Sequence, residues 1–189
     1  MSSRVGYKLF RVKKSQPGKL FPLFVLSNNA MPVGEWLQAE SGELKNGKVK
    51  SKLGLLKFRP GFHINDKVPF VNHIGMKTNG VITHMHDDTV WCEVEYHTDV
   101  DYNAIARING KSPKGGYNMR DACLSYVPRN GFYYYKTNPQ MFDRWVISGE
   151  MKINRILEDD EVEKLCESAG MVALKRRKRF DIKEYGFVG

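Results

Sequence analysis

Residues 53–66 read LGLLKFRPGFHIND, and this stretch decides how the rest of the chain is organised. An apolar run ends at a Pro60-Gly61 corner, and a second short run follows it. The pattern predicts strand, tight turn, strand, with His63 presented on the second strand. Arg59, the corner and His63 fall within five residues. Nowhere else do a basic side chain, a turn and an imidazole come so close in sequence.

The flanking segments read as partners for this unit. Residues 6–12, GYKLFRV, alternate, with Tyr7, Leu9 and Arg11 on one face and Lys8, Phe10 and Val12 on the other. A turn at Gln16-Pro17-Gly18 leads into the apolar run 20–26, and Pro22 places that run at an edge. Residues 31–40 predict a third extended segment with Val33 and Trp36 in the core. Residues 41–52 are polar and lysine-rich, and read as an exposed mobile loop.

Downstream, residues 67–80 are irregular, with a short helix expected around 68–74. Residues 81–86 and 89–96 predict a hairpin across Asp87-Asp88. Its second strand sets Val90, Cys92, Val94 and Tyr96 against Trp91, Glu93 and Glu95. A short helix is expected over 99–108, a loop over 109–118, and strands over 122–127, 131–136, 144–148 and 151–157. Tyr133, Tyr134 and Tyr135 read as half exposed, and Met151, Ile153, Arg155 and Leu157 as one face. The clearest helix runs from 159 or 160 to 169. Its stripe is Val162, Leu165, Cys166 and Ala169, with acidic residues in the first turn and Gly170 at the end. Many short strands against one clear helix give an α+β class with a mostly antiparallel sheet. The expected division is a single domain over 1–172 and a basic tail over 173–189.

Composition narrows the function classes. The chain has 189 residues, 41% hydrophobic and 12% aromatic, enough for one domain with a sizeable core. No apolar run approaches the roughly 18 residues that span a bilayer. The start, MSSRVGYK, lacks a signal-peptide core. Three cysteines without a CxxC pair suggest neither a disulfide framework nor a zinc knuckle, and fit a reducing cytoplasm. The net charge is +9, of which five charges lie in Lys175, Arg176, Arg177, Lys178 and Arg179, leaving +4 elsewhere. Such a run either binds nucleic-acid phosphates or an acidic partner, or simply solubilises the tail.

The remaining chemical candidates are few. His84 and His86 share a strand face and precede Asp87 and Asp88, a metal-pair pattern without a third ligand at a recognisable spacing. Glu93 and Glu95 lie about 7 Å apart on one face, suited to acid–base work or to a solvated polar surface. No GxxxxGK[ST], GxGxxG or GxSxG motif occurs. Arg11 is a candidate diphosphate clamp or an edge-strand surface residue. His63 is a candidate stacking partner for a heterocycle or a satisfied core histidine.

Taken as a set, three pieces resemble ADP-ribosyltransferase domains. Leu9-Phe10-Arg11-Val12 is similar to the first-strand motif, Gly61-Phe62-His63-Ile64-Asn65 to the second, and residues 145–157 to the last pair of core strands. LFPLFV, PVGEW and VISGEMKINRIL are similar to such modules in large polyvalent proteins of phages and mobile elements. The resemblance implies a split antiparallel sheet with NAD, as substrate, in its cleft. It implies Arg11 on the phosphates or the adenine-side ribose, and Phe62 and His63 at the nicotinamide. The family's glutamate before the last strand pair is replaced by Phe142-Asp143-Arg144-Trp145, which leaves Glu150 as the nearby carboxylate. Arg11, His63 and Glu150 are therefore the expected catalytic set. A phage-encoded enzyme modifying a host protein or nucleic acid in the host cytoplasm, without membrane contact, is the leading expectation. The alternatives are a non-catalytic protein-binding inhibitor on the same fold and a nucleic-acid binder acting through the basic run.

Overall fold

The first strand organises the molecule. In this computed structural model, which describes residues 1–110 and 122–188, β1 (Ser3–Val12) is the longest strand and lies in the middle of a nine-stranded sheet. It is followed by β2 (Leu20–Phe21), β3 (Trp36–Gln38), β4 (Leu44–Lys45), β5 (Lys48–Ser51), β6 (Gly54–Lys57) and β7 (Phe62–Asn65). Then come β8 (Met76–Thr78), β9 (Val81–Met85), β10 (Thr89–His97), β11 (Val100–Asp101) and α1 (Asn103–Asn109). The last part holds β12 (Gly131–Tyr135), β13 (Trp145–Ser148), β14 (Glu150–Ile156), α2 (Asp159–Ser168), β15 (Lys175–Arg176) and a 3-10 turn, Ile182–Tyr185.

The large sheet runs β11-β12-β13-β7-β1-β10-β14-β3, with β2 added to the end of β1. Two three-stranded sheets accompany it, β15-β9-β8 and β4-β5-β6. Among the described residues only the β11–β12 and β15–β9 pairings are parallel. The class is therefore α+β, dominated by antiparallel sheet.

β1 is held unequally on its two sides. It pairs with β10 from Ser3↔His97 to Arg11↔Thr89, but with β7 only at Tyr7↔Asn65. Gly6 permits that single meeting point. A Cβ there would sit 2.6 Å from Ile64 Cγ2 and 2.7 Å from the Asn65 carbonyl oxygen.

Both faces of the sheet are covered. One carries Phe10, Ile64, Val94, Tyr96, Val146 and Ile153, against which Phe180, Tyr185 and Phe187 pack. The other carries Leu9, Trp91, Tyr133, Tyr135, Trp145 and Ile147. It is closed by Val68 and Val71 after β7 and by Val162 and Cys166 of α2. The α2 entry is a capping box between Glu158 and Glu161, with three acidic residues in the first turn.

The central stretch folds as expected, with β6, the Pro60-Gly61 corner and β7 in order. Several other expectations are corrected. Residues 41–52 hold β4 and the whole of β5, because Asn46 (φ 52°) and Gly47 (φ 72°) form a two-residue turn between Lys45 and Lys48. Asn79 (φ 51°) and Gly80 (φ 79°) do the same between β8 and β9. The hairpin across Asp87-Asp88 is not formed. Neither aspartate has positive φ, the Asp88 carbonyl accepts from the Val12 N–H, and β9 pairs with β8 and β15 instead.

Only Leu20 and Phe21 of the run 20–26 are strand, and residues 68–74 and 122–127 form no regular element. Val33 and Trp36 are exposed, whereas Tyr133 and Tyr135 are buried. A bulge in the β10–β14 ladder between Glu93 and Val94 puts Ile156, not Arg155, on the face of Met151 and Ile153. Most of the loop expected over 109–118 lies outside the described residues. The segment expected as a basic tail is folded: it supplies β15, and its aromatic residues pack on the sheet.

Candidate functional site

Arg11 and His63 sit on the two strands that meet once and then part. Both side chains belong to the sheet face that carries Leu9, Tyr7 and Asn65, by the registers of β1, β7 and β13. Arg11 is largely buried, and its Nη1 donates to both oxygens of Asp88, at 3.0 and 2.8 Å. Its Nε has no hydrogen-bond partner. From sequence Asp88 reads as a turn residue and a carboxylate beside His84 and His86, not as a partner of Arg11; that pairing follows from the β1–β10 register, which ends at Arg11↔Thr89.

His63 is enclosed by aromatic edges. Its ring lies 6.3 Å from that of Tyr135 and 5.9 Å from that of Trp145, both near perpendicular. Nδ1 is 3.3 Å from the Gly61 carbonyl. Burial, and then the charges of Lys8 and Arg59, push its pKa down to about 3. The imidazole is therefore neutral at physiological pH. Phe62 points the other way and packs with Ile64 and Val146.

Two cations, Lys8 and Arg59, act on His63. Lys8 Nζ donates to the His63 carbonyl at 2.7 Å, across the place where β1 and β7 part. Its burial lowers its pKa to about 8. Arg59 is buried, donates from Nε to the Ala122 carbonyl at 3.0 Å, and lies over the Tyr135 ring at 3.6 Å. Its Nη2 has no hydrogen-bond partner among the described residues. Lys8 was read from sequence only as a facing residue. Its role has no local sequence signal, since it depends on β7 crossing β1.

Glu150 lies apart from this group. It stands at the His97 end of β10, with Oε2 accepting from the Asn130 N–H at 2.8 Å and 3.7 Å from His97 Nδ1. Arg11 is at the Thr89 end, eight strand positions away, or roughly 26 Å. Glu150 thus holds the turn in which Asn130 takes a positive φ of 56°. Asp143 is also committed, accepting from the N–H groups of Lys67, Val68 and Arg144.

Glu93 and Glu95 share the Asn154 side-chain amide, at 2.9 and 3.1 Å, with Arg155 and Lys152 nearby. This is a charge-balanced sheet face. His84 and His86 join no group of three or more metal-binding side chains among the described residues.

The basic run is partly consumed by the fold. Arg176 donates to Asp159 and to the Thr89 carbonyl, at 2.7 and 2.9 Å, and covers Phe180. Arg177 pairs with Asp87 at 2.7 Å. Lys175, Lys178 and Arg179 remain exposed.

A groove of about 1210 Å³ lies elsewhere, between the end of β14, the segment Ala30 to Val33 and the C-terminal residues. Neither Arg11 nor His63 lines it. Its wall mixes Glu158, Asp159, Asp160 and Asp181 with Lys19, Arg155 and Lys183, so it carries no single sign of charge. No helix of the described residues is long and apolar enough to cross a membrane. No family model, curated protein or solved structure matches the chain.

Proposed function

We propose that the protein is an ADP-ribosyltransferase-like module that takes NAD where β1 and β7 diverge and passes ADP-ribose to a macromolecular target. One observation carries this reading: the strands bearing the two family-like motifs are neighbours in a single sheet, and only one registered pair, Tyr7↔Asn65, joins them. An opening in the ladder between motif strands is what a split-sheet NAD cleft requires.

The side chains at that opening suit an electron-poor dinucleotide. Arg11 and Arg59, on the sheet face of His63, supply positive charge for a diphosphate, and Arg11 Nε and Arg59 Nη2 are donors without partners among the described residues. A neutral His63 between aromatic edges presents a flat surface to nicotinamide without repelling its positive ring. In the reaction, the bond from the ribose C1′ to nicotinamide nitrogen breaks. Its electron pair leaves with neutral nicotinamide, and a target nucleophile adds to C1′ as it gives up its proton. Asp88 is the carboxylate beside Arg11, while Glu150 takes no part.

A second reading is favoured by that same separation of Glu150 from Arg11. On it the module binds its partner without turnover. Titration of the full chain with NAD, followed by incubation with labelled NAD and a cell lysate, tests both. The transferase reading expects NAD binding and a labelled acceptor, both lost in Arg11→Ala and both kept in Glu150→Gln. NAD binding without labelling favours the second reading. A folded protein that binds no NAD overturns the proposal.

A further inference from the structure

The small β4-β5-β6 sheet carries an unbalanced row of charge. Lys45 pairs across the ladder with Lys48, and Lys48 pairs with Lys57, so all three ammonium groups stand on one face in one line. All three are exposed. Lys50, one step along the same face, is the member with an acidic partner, Glu43 at 2.7 Å. No carboxylate forms an ion pair with Lys45, Lys48 or Lys57 among the described residues. The opposite face holds Leu44, Val49 and Leu56, with Val49 buried against the body of the protein.

Like charges placed directly opposite one another destabilise a sheet. Lysines on edge strands do guard against edge-to-edge pairing, which accounts for Lys45 on β4 and Lys57 on β6. It does not account for Lys48, which lies on the central strand. A glutamate there would protect the edges equally well and form two favourable cross-strand pairs. The row therefore costs stability that the fold does not need, and an external anion would recover it.

We infer that this row is a docking strip for the phosphate backbone of duplex nucleic acid. Neighbouring strands lie about 4.8 Å apart, so the row spans about 10 Å. A linear polyanion meets all three charges at once. β4, β5 and β6 contain no aromatic residue, so the strip has no platform for stacking unpaired bases. The contact is with phosphates and is independent of base sequence. This inference stands apart from the NAD reading.

Anisotropy of a labelled DNA duplex of about 20 base pairs, titrated with the full chain at roughly 50 to 200 mM salt, tests it. The wild-type chain binds, with affinity falling steeply as salt rises. Combined Lys45→Gln, Lys48→Gln and Lys57→Gln lowers the log–log salt slope by about 2 to 3 and the affinity at low salt by about tenfold or more. Lys48→Glu alone weakens binding while raising the melting temperature, which separates lost contact from lost fold. Lys178→Gln with Arg179→Gln leaves the slope unchanged. The inference is overturned if the duplex does not bind, or if the triple variant keeps the wild-type slope. It is equally overturned if the C-terminal variant takes the loss instead, or if anionic phosphatidylserine vesicles retain the protein and the duplex does not.

Discussion

The two sides of β1 differ more than any other pair of neighbouring interfaces in the sheet. Toward β10 the ladder runs the length of the strand, and cross-strand pairs such as Leu9↔Trp91 and Phe10↔Val90 bury apolar surface on both faces. On the other edge β7 keeps one registered pair, helped by the Lys8 bond to the His63 carbonyl, and the two-residue β2 pairs beyond it at Arg11↔Phe21 and Val12↔Leu20. The first side is built as scaffold. The second concentrates a close backbone approach at Gly6, a buried imidazole and buried cations, and perturbed buried ionisable groups are what functional sites carry at the expense of stability.

The largest test of this contrast is Gly6→Val. The new side chain meets Ile64 and the Asn65 carbonyl below contact distance, so the β1–β7 crossing must open. A loss of about 3 kcal/mol or more is expected in urea unfolding. Amide exchange should quicken in β7 and β13 before β10 and β14. Equal acceleration on both sides would mean the sheet is one cooperative ladder.

Acid should come next. Between about pH 3 and 6.5 the unfolded chain binds a proton at His63 that the folded chain does not, so stability falls as pH is lowered through that window. The full shift corresponds to about 5 kcal/mol, and the partial solvent contact of the side chain brings the expected loss to about 3 kcal/mol. His63→Phe should flatten this limb, read as the urea midpoint against pH.

Lys8 gives a smaller effect of opposite placement. Its depressed pKa means the unfolded chain holds more protons between about pH 8 and 10.5, so stability rises with pH there. Roughly 1 to 2 kcal/mol is expected, since the side chain keeps some solvent contact. Lys8→Met should remove the rise. An unchanged alkaline limb would take Lys8 out of the account.

The smallest effect belongs to the ion pair at the end of β1. A double-mutant cycle on Arg11 and Asp88 should give a coupling of about 1 kcal/mol or less, as for a partly exposed ion pair. A much larger value would make Arg11 a structural residue rather than one free to exchange Asp88 for a ligand phosphate.

Alternation in β1 and β10, the Pro60-Gly61 corner and the α2 stripe were legible in the sequence, because each is set by neighbours within one element. The Asn46-Gly47 and Asn79-Gly80 dipeptides carry a turn signal that the readings of 41–52 as a loop and 67–80 as irregular passed over. Lysine-rich surroundings made the first look like a loop. The pairing of β9 was not legible: alternation says that a strand exists, not which strand lies beside it. Tyr133 and Tyr135 were misread for a related reason. A sheet covered on both faces buries the face that alternation marks as exposed. At the candidate site, Arg11 and His63 were found through short motifs. Asp88, and the remoteness of Glu150, depend on register over the whole of β10.

Hydrogen exchange of the full chain with and without saturating NAD tests the central claim most directly. The account predicts added protection in residues 9–12 of β1 and in β7, with β14 and the groove beside it unchanged. Protection confined to that groove, or none at all, would contradict a nucleotide site where β1 and β7 part.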